Sequence, residues 1–147
     1  MEKPTITEID SGDPGLIAAL TDARLPTDDL RKPGRRFFAF RDGGGVIGYV
    51  GWEVSGSAAL LRSLVVLPTR RRQGWGNAMI AWALSQLAEC GATEVYLLTT
   101  NIQKLAAKAG FVPIDRNLAP EAIRNSQQFL SLCPSIATLM KRQAPSL

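Results

Sequence analysis

A short segment of this sequence combines glycines and arginines in a pattern that can bind a phosphate. Residues 70–76 read Arg-Arg-Arg-Gln-Gly-Trp-Gly, between an apolar stretch that ends near Val66 and an amphipathic stretch that begins at Gly76. Glycines let backbone N–H groups approach a ligand without a Cβ in the way. The first N–H groups of a helix have no partner inside it and lie at the positive end of its dipole. The segment therefore predicts an anion site made of backbone, with a pyrophosphate as the expected ligand.

The side chains of this loop strengthen the prediction. Arg71 and Arg72 add positive charge, and a guanidinium can hold a phosphate through two parallel hydrogen bonds. The alternative is a glycine-rich turn with solvated arginines, but the position between a strand and a helix favours the phosphate site. The loop has neither the Gly-Lys-Ser/Thr of a Walker loop nor the three-glycine fingerprint of a dinucleotide site.

Two charged residues in predicted strands are candidates for chemistry. The sequence has no histidine, so any general base must be a carboxylate, a lysine, a tyrosine, a terminus or a water chain. Glu53 is our candidate, because it lies on the predicted strand beside the one that ends near Val66. The alternative for Glu53 is a surface glutamate on a half-exposed strand. Arg62 interrupts an apolar strand, where a charge is costly unless it is paired. It could hold a substrate carboxylate by a fork, or form a structural ion pair, for example with Glu53.

Length and composition limit the class of protein. The chain has 147 residues with 46% hydrophobic and 20% charged residues, which predicts one globular domain spanning residues 1–147. No apolar run is long enough to span a bilayer, and the N-terminus does not resemble a signal peptide, so we expect a cytoplasmic protein. Two cysteines and no histidine make a metal site unexpected. The net charge of +4 is compatible with a small polyanion, and nucleic acid is not the expected partner.

Apolar spacing along the chain predicts an α+β fold. Strands over 36–41, 46–54 and 59–67, joined by tight turns, predict an antiparallel meander. A helix over 76–89 and a strand over 94–100 then predict a right-handed parallel crossover. The other predicted elements are a helix over 14–23 that begins after Asp13, a short helix within 25–30, a helix over 102–109, a strand over 111–115, a helix over about 120–130 and a strand over about 136–141.

The loop also resembles a known family motif. Arg71, Gly74 and Gly76 fit the pattern Gln/Arg-x-x-Gly-x-Gly/Ala of the coenzyme A loop in GNAT N-acetyltransferases, and Val66 and Pro68 match the strand end before it. The order of elements along nearly the whole chain is similar to that of this family.

Further segments extend the resemblance. Asn101 and Gly110-Phe111 resemble the family's second landmark, the helix after the fifth strand. Residues 59–66, 96–100 and 132–134 are similar to N-acetyltransferases associated with arsenic-resistance operons. At this subfamily level, the resemblance implies an amino-acid-like toxin as substrate, such as an arsenic or phosphorus analogue of glutamate.

The resemblance implies a GNAT-like sheet, mostly antiparallel, with helices on both faces and one parallel strand pair that splays apart. The pantetheine arm would enter the gap between the strands ending near Val66 and Thr100. Backbone N–H groups near Leu64 to Val66 would orient it and polarise the thioester carbonyl, and an amine would attack directly in a ternary complex. We predict Arg62 and Thr100 as substrate-binding residues. The predicted cofactor-binding residues are Leu64, Val65, Val66, Arg71, Arg72, Gln73, Gly74, Trp75, Gly76, Thr99 and Asn101.

The general acid is where the sequence departs from the family. A Tyr often stands four residues before the Gly of the Gly-Phe pair, and here that position is Ala106. Tyr96 and Cys133 are more typical of core residues, so we assign no acid.

Three functions follow in order of preference. The first is an acetyl-CoA-dependent N-acetyltransferase that acts on the primary amine of a small molecule and needs no metal. The second, which Ala106 favours, is a non-catalytic acyl-CoA-binding or sensing domain. The third is a basic nucleic-acid-binding module. A homodimer is also compatible with the sequence.

Overall fold

The computed structural model describes residues 3–99, 102–126 and 137–145. Its centre is a seven-stranded sheet with the order β1-β2-β3-β4-β5-β7-β6. The strands are β1 (Thr5–Ile9), β2 (Arg35–Asp42), β3 (Gly45–Ser55), β4 (Ala58–Val66), β5 (Glu94–Thr99), β6 (Val112–Pro113) and β7 (Thr138–Gln143). The helices are α1 (Pro14–Asp22), α2 (Trp75–Glu89), α3 (Gln103–Lys108) and α4 (Glu121–Arg124).

Alternation along the strands explains why helices cover both faces of the sheet. In β2, Phe38 and Phe40 belong to a core that packs under α2, while Phe37 and Ala39 belong to a second core under α1. All of them are buried, because successive side chains of a strand point to opposite faces. A third core joins α4 to β4, β5 and β7. The predicted α+β fold with helices on both faces is confirmed.

One strand pair in the sheet is parallel, and its pairing is short. β4 and β5 are paired from Ala58 with Glu94 to Leu61 with Leu97, although β4 continues to Val66 and β5 to Thr99. All other neighbouring strands are antiparallel. The two parallel strands therefore separate at their carboxyl ends, as the sequence predicted.

Several element boundaries differ from the predictions. β1 was missed, since Thr5–Ile9 is a mostly exposed edge strand without an apolar run. The stretch 25–30 forms turns rather than the predicted short helix. The strand expected over 111–115 is only Val112–Pro113, and Pro113 has no N–H for a longer ladder. α4 ends at Arg124, and the rest of its predicted range reaches residues outside the described part of the chain. In the described part of the chain, the helices are too short and too polar to cross a membrane.

Candidate functional site

A cleft of about 890 Å³ opens where β4 and β5 separate. Its walls come from the carboxyl ends of both strands, the loop after β4, the start of α2, and residues 22–25 after α1. Apolar side chains of Leu61, Leu97, Ile102 and Leu105 line part of it, and the loop arginines line another part. One cleft thus offers an apolar channel and a cationic mouth.

The mouth of the cleft is the amino-terminal end of α2. Gly74 caps this helix with φ of 85°, a left-handed conformation that glycine adopts without strain. The first bond inside the helix runs from the Ala78 N–H to the Gly74 carbonyl, so the N–H groups of Trp75, Gly76 and Asn77 need partners from outside the helix. A Cβ added to Gly74 would meet no atom within 4 Å. Amides without helix partners at the positive end of a helix are the arrangement that binds anions, and the sequence predicted a phosphate here.

Three arginines precede this helix end, and they have different neighbours. Arg70 forms an ion pair with Asp42, the last residue of β2, and this contact anchors the loop to the sheet. The Arg71 Nε donates to the Val66 carbonyl over 3.0 Å, which leaves the outer nitrogens of its guanidinium for a ligand. Arg72 has a left-handed backbone with φ of 64° and an exposed side chain. Arg71 and Arg72 therefore supply the accessible charge of the predicted site.

The remaining loop residues shape the site by packing. Trp75 is 3% exposed and belongs to the core under α2, and its Nε1 donates to the Gln73 side-chain oxygen over 3.2 Å. A Cβ on Gly76 would approach the Leu105 side chain to 2.8 Å. Glycine at this position thus lets α3 pack closely against the start of α2. Trp75 and Gly76 line the cleft and also fix the position of the helix end.

A β-bulge lies in the β4 wall of the cleft. Tyr49 pairs with Val65 and Gly51 pairs with Arg62, so Ser63 and Leu64 together face one residue of β3. Ser63 has φ of 57° and is buried. A bulge changes the direction of the backbone and of side chains. Here it changes the direction of the strand residues that the sequence assigned to cofactor binding, Leu64, Val65 and Val66.

A buried cluster of four charged side chains lies beside the bulge. Arg62 donates to both oxygens of Asp29, over 2.5 and 2.6 Å, and to Glu53 over 2.9 Å. Arg35 lies 3.2 Å from Asp29 and 3.5 Å from Glu53. The side chains of Arg62 and Asp29 are 0% and 1% exposed. Two positive and two negative charges therefore balance in a cluster whose centre, Arg62 and Asp29, is closed to water, while Glu53 is 16% exposed.

The ion pairs decide the protonation of this cluster. Burial by itself would raise the pKa of Asp29, but hydrogen bonds and charges from Arg62 and Arg35 outweigh it and hold the pKa below its ordinary value. Burial would lower the pKa of Arg62, and Asp29 and Glu53 raise it instead. Both residues therefore stay charged at neutral pH.

The lowered pKa predicts an acid-dependent loss of stability. A carboxyl with a depressed folded-state pKa stabilises the native state above its unfolded-state value, near 3.8, and this stabilisation is lost as the pH falls through the folded-state pKa. We expect the free energy of unfolding of the wild type to fall more steeply below about pH 4 than that of Asp29→Asn. Urea denaturation at a series of pH values measures this, and parallel curves for the two proteins would contradict it.

This geometry bears on both charged candidates from the sequence. Arg62 lines the cleft, but its terminal nitrogens are engaged by carboxylates, as the ion-pair alternative expected. Glu53 is 16% exposed, and Arg62 and Arg35 are its ion-pair partners. The sequence analysis missed Asp29, because it lies in a turn segment 33 residues from Arg62, where no local pattern marks it.

Comparison with known proteins identifies the family. Residues 33–113, which are 81 of the 147 residues, match the family model described as "Acetyltransferase (GNAT) domain". This chain belongs to the GNAT acetyltransferase family. The family that the sequence predicted is thereby confirmed. None of the curated proteins matches the sequence. The family model and the solved structures described here do not show the predicted association with arsenic resistance.

Solved GNAT structures share the fold along the whole chain. N-acetylglutamate synthase from Neisseria gonorrhoeae, complexed with coenzyme A and L-arginine, has a TM-score of 0.76 at 18% identity over 95% of this chain and 33% of its own. This chain thus spans about a third of that protein. A GNAT acetyltransferase from Staphylococcus aureus Mu50 gives 0.75 at 17% identity over 97% and 100% of the two chains. The ribosomal-protein-S18-alanine N-acetyltransferase from Escherichia coli gives 0.70 at 18% identity over 99% and 96%.

The GNAT landmarks after β5 are partly described. Thr99 lies at the cleft, and its hydroxyl accepts a hydrogen bond from the Ile102 N–H over 2.8 Å at the start of α3. Thr100 and Asn101, predicted to bind substrate and cofactor, lie outside the described residues, as does Cys133. This GNAT chain has Ala106 where the family often has a tyrosine, and the alanine is fully buried in the core.

Tyr96 does not fill that gap. Its ring is buried in the third core, with α4, and its hydroxyl donates to Glu94 over 2.7 Å. Burial, together with the carboxylate of Glu94, raises the pKa of Tyr96. The tyrosine is absent from the residues that line the cleft, and it serves the packing of the sheet.

Proposed function

We propose that this GNAT protein transfers an acetyl group from acetyl-CoA to the primary amine of a small molecule. The observation that carries the proposal is the cleft between β4 and β5, with the open amides of α2 at its mouth. The three solved GNAT structures described above are at most 18% identical to this chain. The acetyl donor and the acceptor are therefore inferred from the cleft and the family.

The residues of the cleft suit coenzyme A. The N–H groups of Trp75, Gly76 and Asn77 would hold the pyrophosphate, and the guanidiniums of Arg71 and Arg72 would add charge beside it. The apolar walls at Leu61, Leu97, Ile102 and Leu105 would contact the pantetheine arm. β4 and β5 are not paired beyond Leu61 and Leu97, and the gap between their carboxyl ends would admit the pantetheine arm.

The bulged part of β4 would act on the reacting carbonyl. Backbone N–H groups near Leu64 to Val66 would orient the pantetheine and donate to the thioester oxygen. Donors that are fixed before the reaction stabilise charge that develops in the transition state, often as the largest catalytic contribution. The amine would be held next to this carbonyl and attack directly.

Glu53 is our proposed base. It would take the proton of the amine through a water molecule. Its neighbours compete with this role, because Arg62 and Arg35 hold its carboxylate in ion pairs. We expect Glu53→Gln to slow turnover most at neutral and lower pH, where a replacement acceptor for the proton is scarce. The best amine is first found by measuring thiol release from acetyl-CoA with a panel of amines. The pH dependence of kcat is then measured with that amine for the wild type and Glu53→Gln.

The two roles of Glu53 give different outcomes in that experiment. A loss of turnover that is uniform across pH, together with a lower melting temperature, indicates a structural ion pair and rules out the base. Glu8→Gln is a suitable control, because Glu8 is in an exposed ion pair with Arg36 on the edge of the sheet and its loss removes the same charge.

The second candidate function is an acyl-CoA-binding or sensing domain without turnover. Ala106 favours it, because the methyl group cannot give a proton to the leaving thiolate. Binding of coenzyme A without thiol release on any amine in a broad panel would select this function. Release of free thiol that depends on an added amine would select the acetyltransferase.

We propose an amino-acid-like compound as the amine acceptor. The likeness of residues 59–66 to arsenic-operon acetyltransferases supports an amino-acid-like acceptor, such as an arsenic or phosphorus analogue of glutamate. Thr100 remains a proposed contact to it, and a cytoplasmic location remains a prediction. Because Asp29 and Glu53 hold the terminal nitrogens of the buried Arg62, the proposal includes no direct contact from Arg62. An amine panel should therefore include glutamate, its phosphinic analogue and simple amino acids.

A further inference from the structure

We infer that the Ser63 hydroxyl is a hydrogen-bond donor to the thioester carbonyl in the cleft, oriented by Arg62 and Asp29. The inference rests on the proposed function, because it needs acetyl-CoA in the cleft. It adds a side-chain donor to the backbone donors of β4, at a site where the sequence offers no acid.

The first observation is the position of Ser63. It lines the cleft together with Leu64 and Val65, and it is one of the two bulge residues of β4. With φ of 57° its backbone is in the left-handed region, which costs a non-glycine residue free energy and is found preferentially at functional sites. Gly48 leaves room for the bulge, since a Cβ there would lie 2.2 Å from the Val65 carbonyl oxygen.

The second observation is the direction of the hydroxyl. The Nε of Arg62 donates to the Ser63 Oγ over 3.2 Å. A guanidinium has no acceptor atom, so the hydroxyl hydrogen must point to another group. Within residues 3–99, 102–126 and 137–145, no acceptor for that hydrogen is found. The hydroxyl can therefore donate to a ligand in the cleft while Arg62 holds its oxygen.

The third observation is that Arg62 cannot swing away. Asp29 accepts two short hydrogen bonds from the terminal nitrogens of Arg62, and Glu53 accepts a third. Both Arg62 and Asp29 are closed to solvent. The chain from Asp29 through Arg62 to Ser63 thus fixes one donor before any ligand binds, which is the condition for a large effect on charge that develops later. Asp29 and Arg62 act here as positioning residues.

The test uses two variants and a spectroscopic measurement that needs no amine substrate. Ser63→Gly removes the hydroxyl and accepts the left-handed backbone freely, and Ser63→Ala removes the hydroxyl but keeps the Cβ. Acetyl-CoA labelled with ¹³C at the acetyl carbonyl is bound to each protein, and the carbonyl stretch is recorded by infrared difference spectroscopy. Calorimetry with acetyl-CoA gives the affinity, and thermal denaturation reports folding.

We expect the carbonyl band of the wild-type complex to lie at lower frequency than in both variants, with acetyl-CoA affinity changed less than about threefold. With an amine that turns over, kcat should fall about a hundredfold or more in both variants, as for the loss of one donor. An identical band position in the wild type and Ser63→Gly overturns the inference and leaves the proposed function intact. Failure of the wild type to bind acetyl-CoA overturns both.

Discussion

Replacing Gly74 with Asp is expected to abolish measurable binding of coenzyme A. The new carboxylate would lie at the amino-terminal end of α2, where the pyrophosphate is expected. Like charges about 4 Å apart repel by about 4 kcal/mol at an effective dielectric constant of about 20. The affinity should therefore fall about a thousandfold. Isothermal titration calorimetry with coenzyme A measures this directly.

Gly91→Asp is the matched control for this variant. Gly91 follows the other end of α2, has φ of 92°, and has no atom within 4 Å of an added Cβ. It therefore repeats the backbone strain and the charge change of Gly74→Asp, away from the cleft. Gly91→Asp is expected to keep wild-type affinity for coenzyme A. Equal affinities for the two variants would rule out the helix end as the phosphate site.

Replacing Asp29 with Ala is expected to cause the largest loss of stability from a single change. The substitution leaves the Arg62 guanidinium buried without its main partner, and Glu53 alone cannot satisfy its remaining donors. Breaking a buried pair in this way costs about 3–5 kcal/mol. Equilibrium unfolding in urea measures the loss, and Asp29→Asn, which keeps one acceptor oxygen, should lose less.

An exposed ion pair in the same sheet serves as the comparison. Arg36 and Glu8 form two hydrogen bonds of 2.9 and 2.8 Å, but both side chains are about half exposed. Exposed pairs contribute about 0–1 kcal/mol, so Glu8→Gln should cost less than about 1 kcal/mol. If Asp29→Ala cost no more than Glu8→Gln, burial would not be what makes the cluster important.

Local patterns in the sequence predicted most of the fold. The turn at residues 42–45, the helix over Trp75–Glu89 and the strands on both sides of it follow from hydrophobic spacing and glycine placement. Asp13 caps α1 by accepting from the Leu16 N–H, as the Asp-Pro pair predicted. The edge strand Thr5–Ile9 was missed because it is defined by pairing with β2 rather than by its own residues.

The site was predictable only where a single segment builds it. The loop from Arg71 to Gly76 carries its own signal, since its glycines, its charges and the helix start are contiguous. The ion cluster brings together Asp29, Arg35, Glu53 and Arg62 from separate elements, so it depends on the register between β2, β3 and β4. The bulge at Ser63 could not be predicted from the residues of β4 alone either, because a bulge is defined by the pairing of two strands.

The amide resonances of residues 74–77 give the most direct test of the phosphate site. In a ¹⁵N–¹H NMR titration with coenzyme A, the account predicts that the N–H groups of Trp75, Gly76 and Asn77 shift more than those at the carboxyl end of α2. Inorganic pyrophosphate should shift the same amides in the same direction at higher concentration. Saturation with coenzyme A while these amides keep their positions would contradict the account.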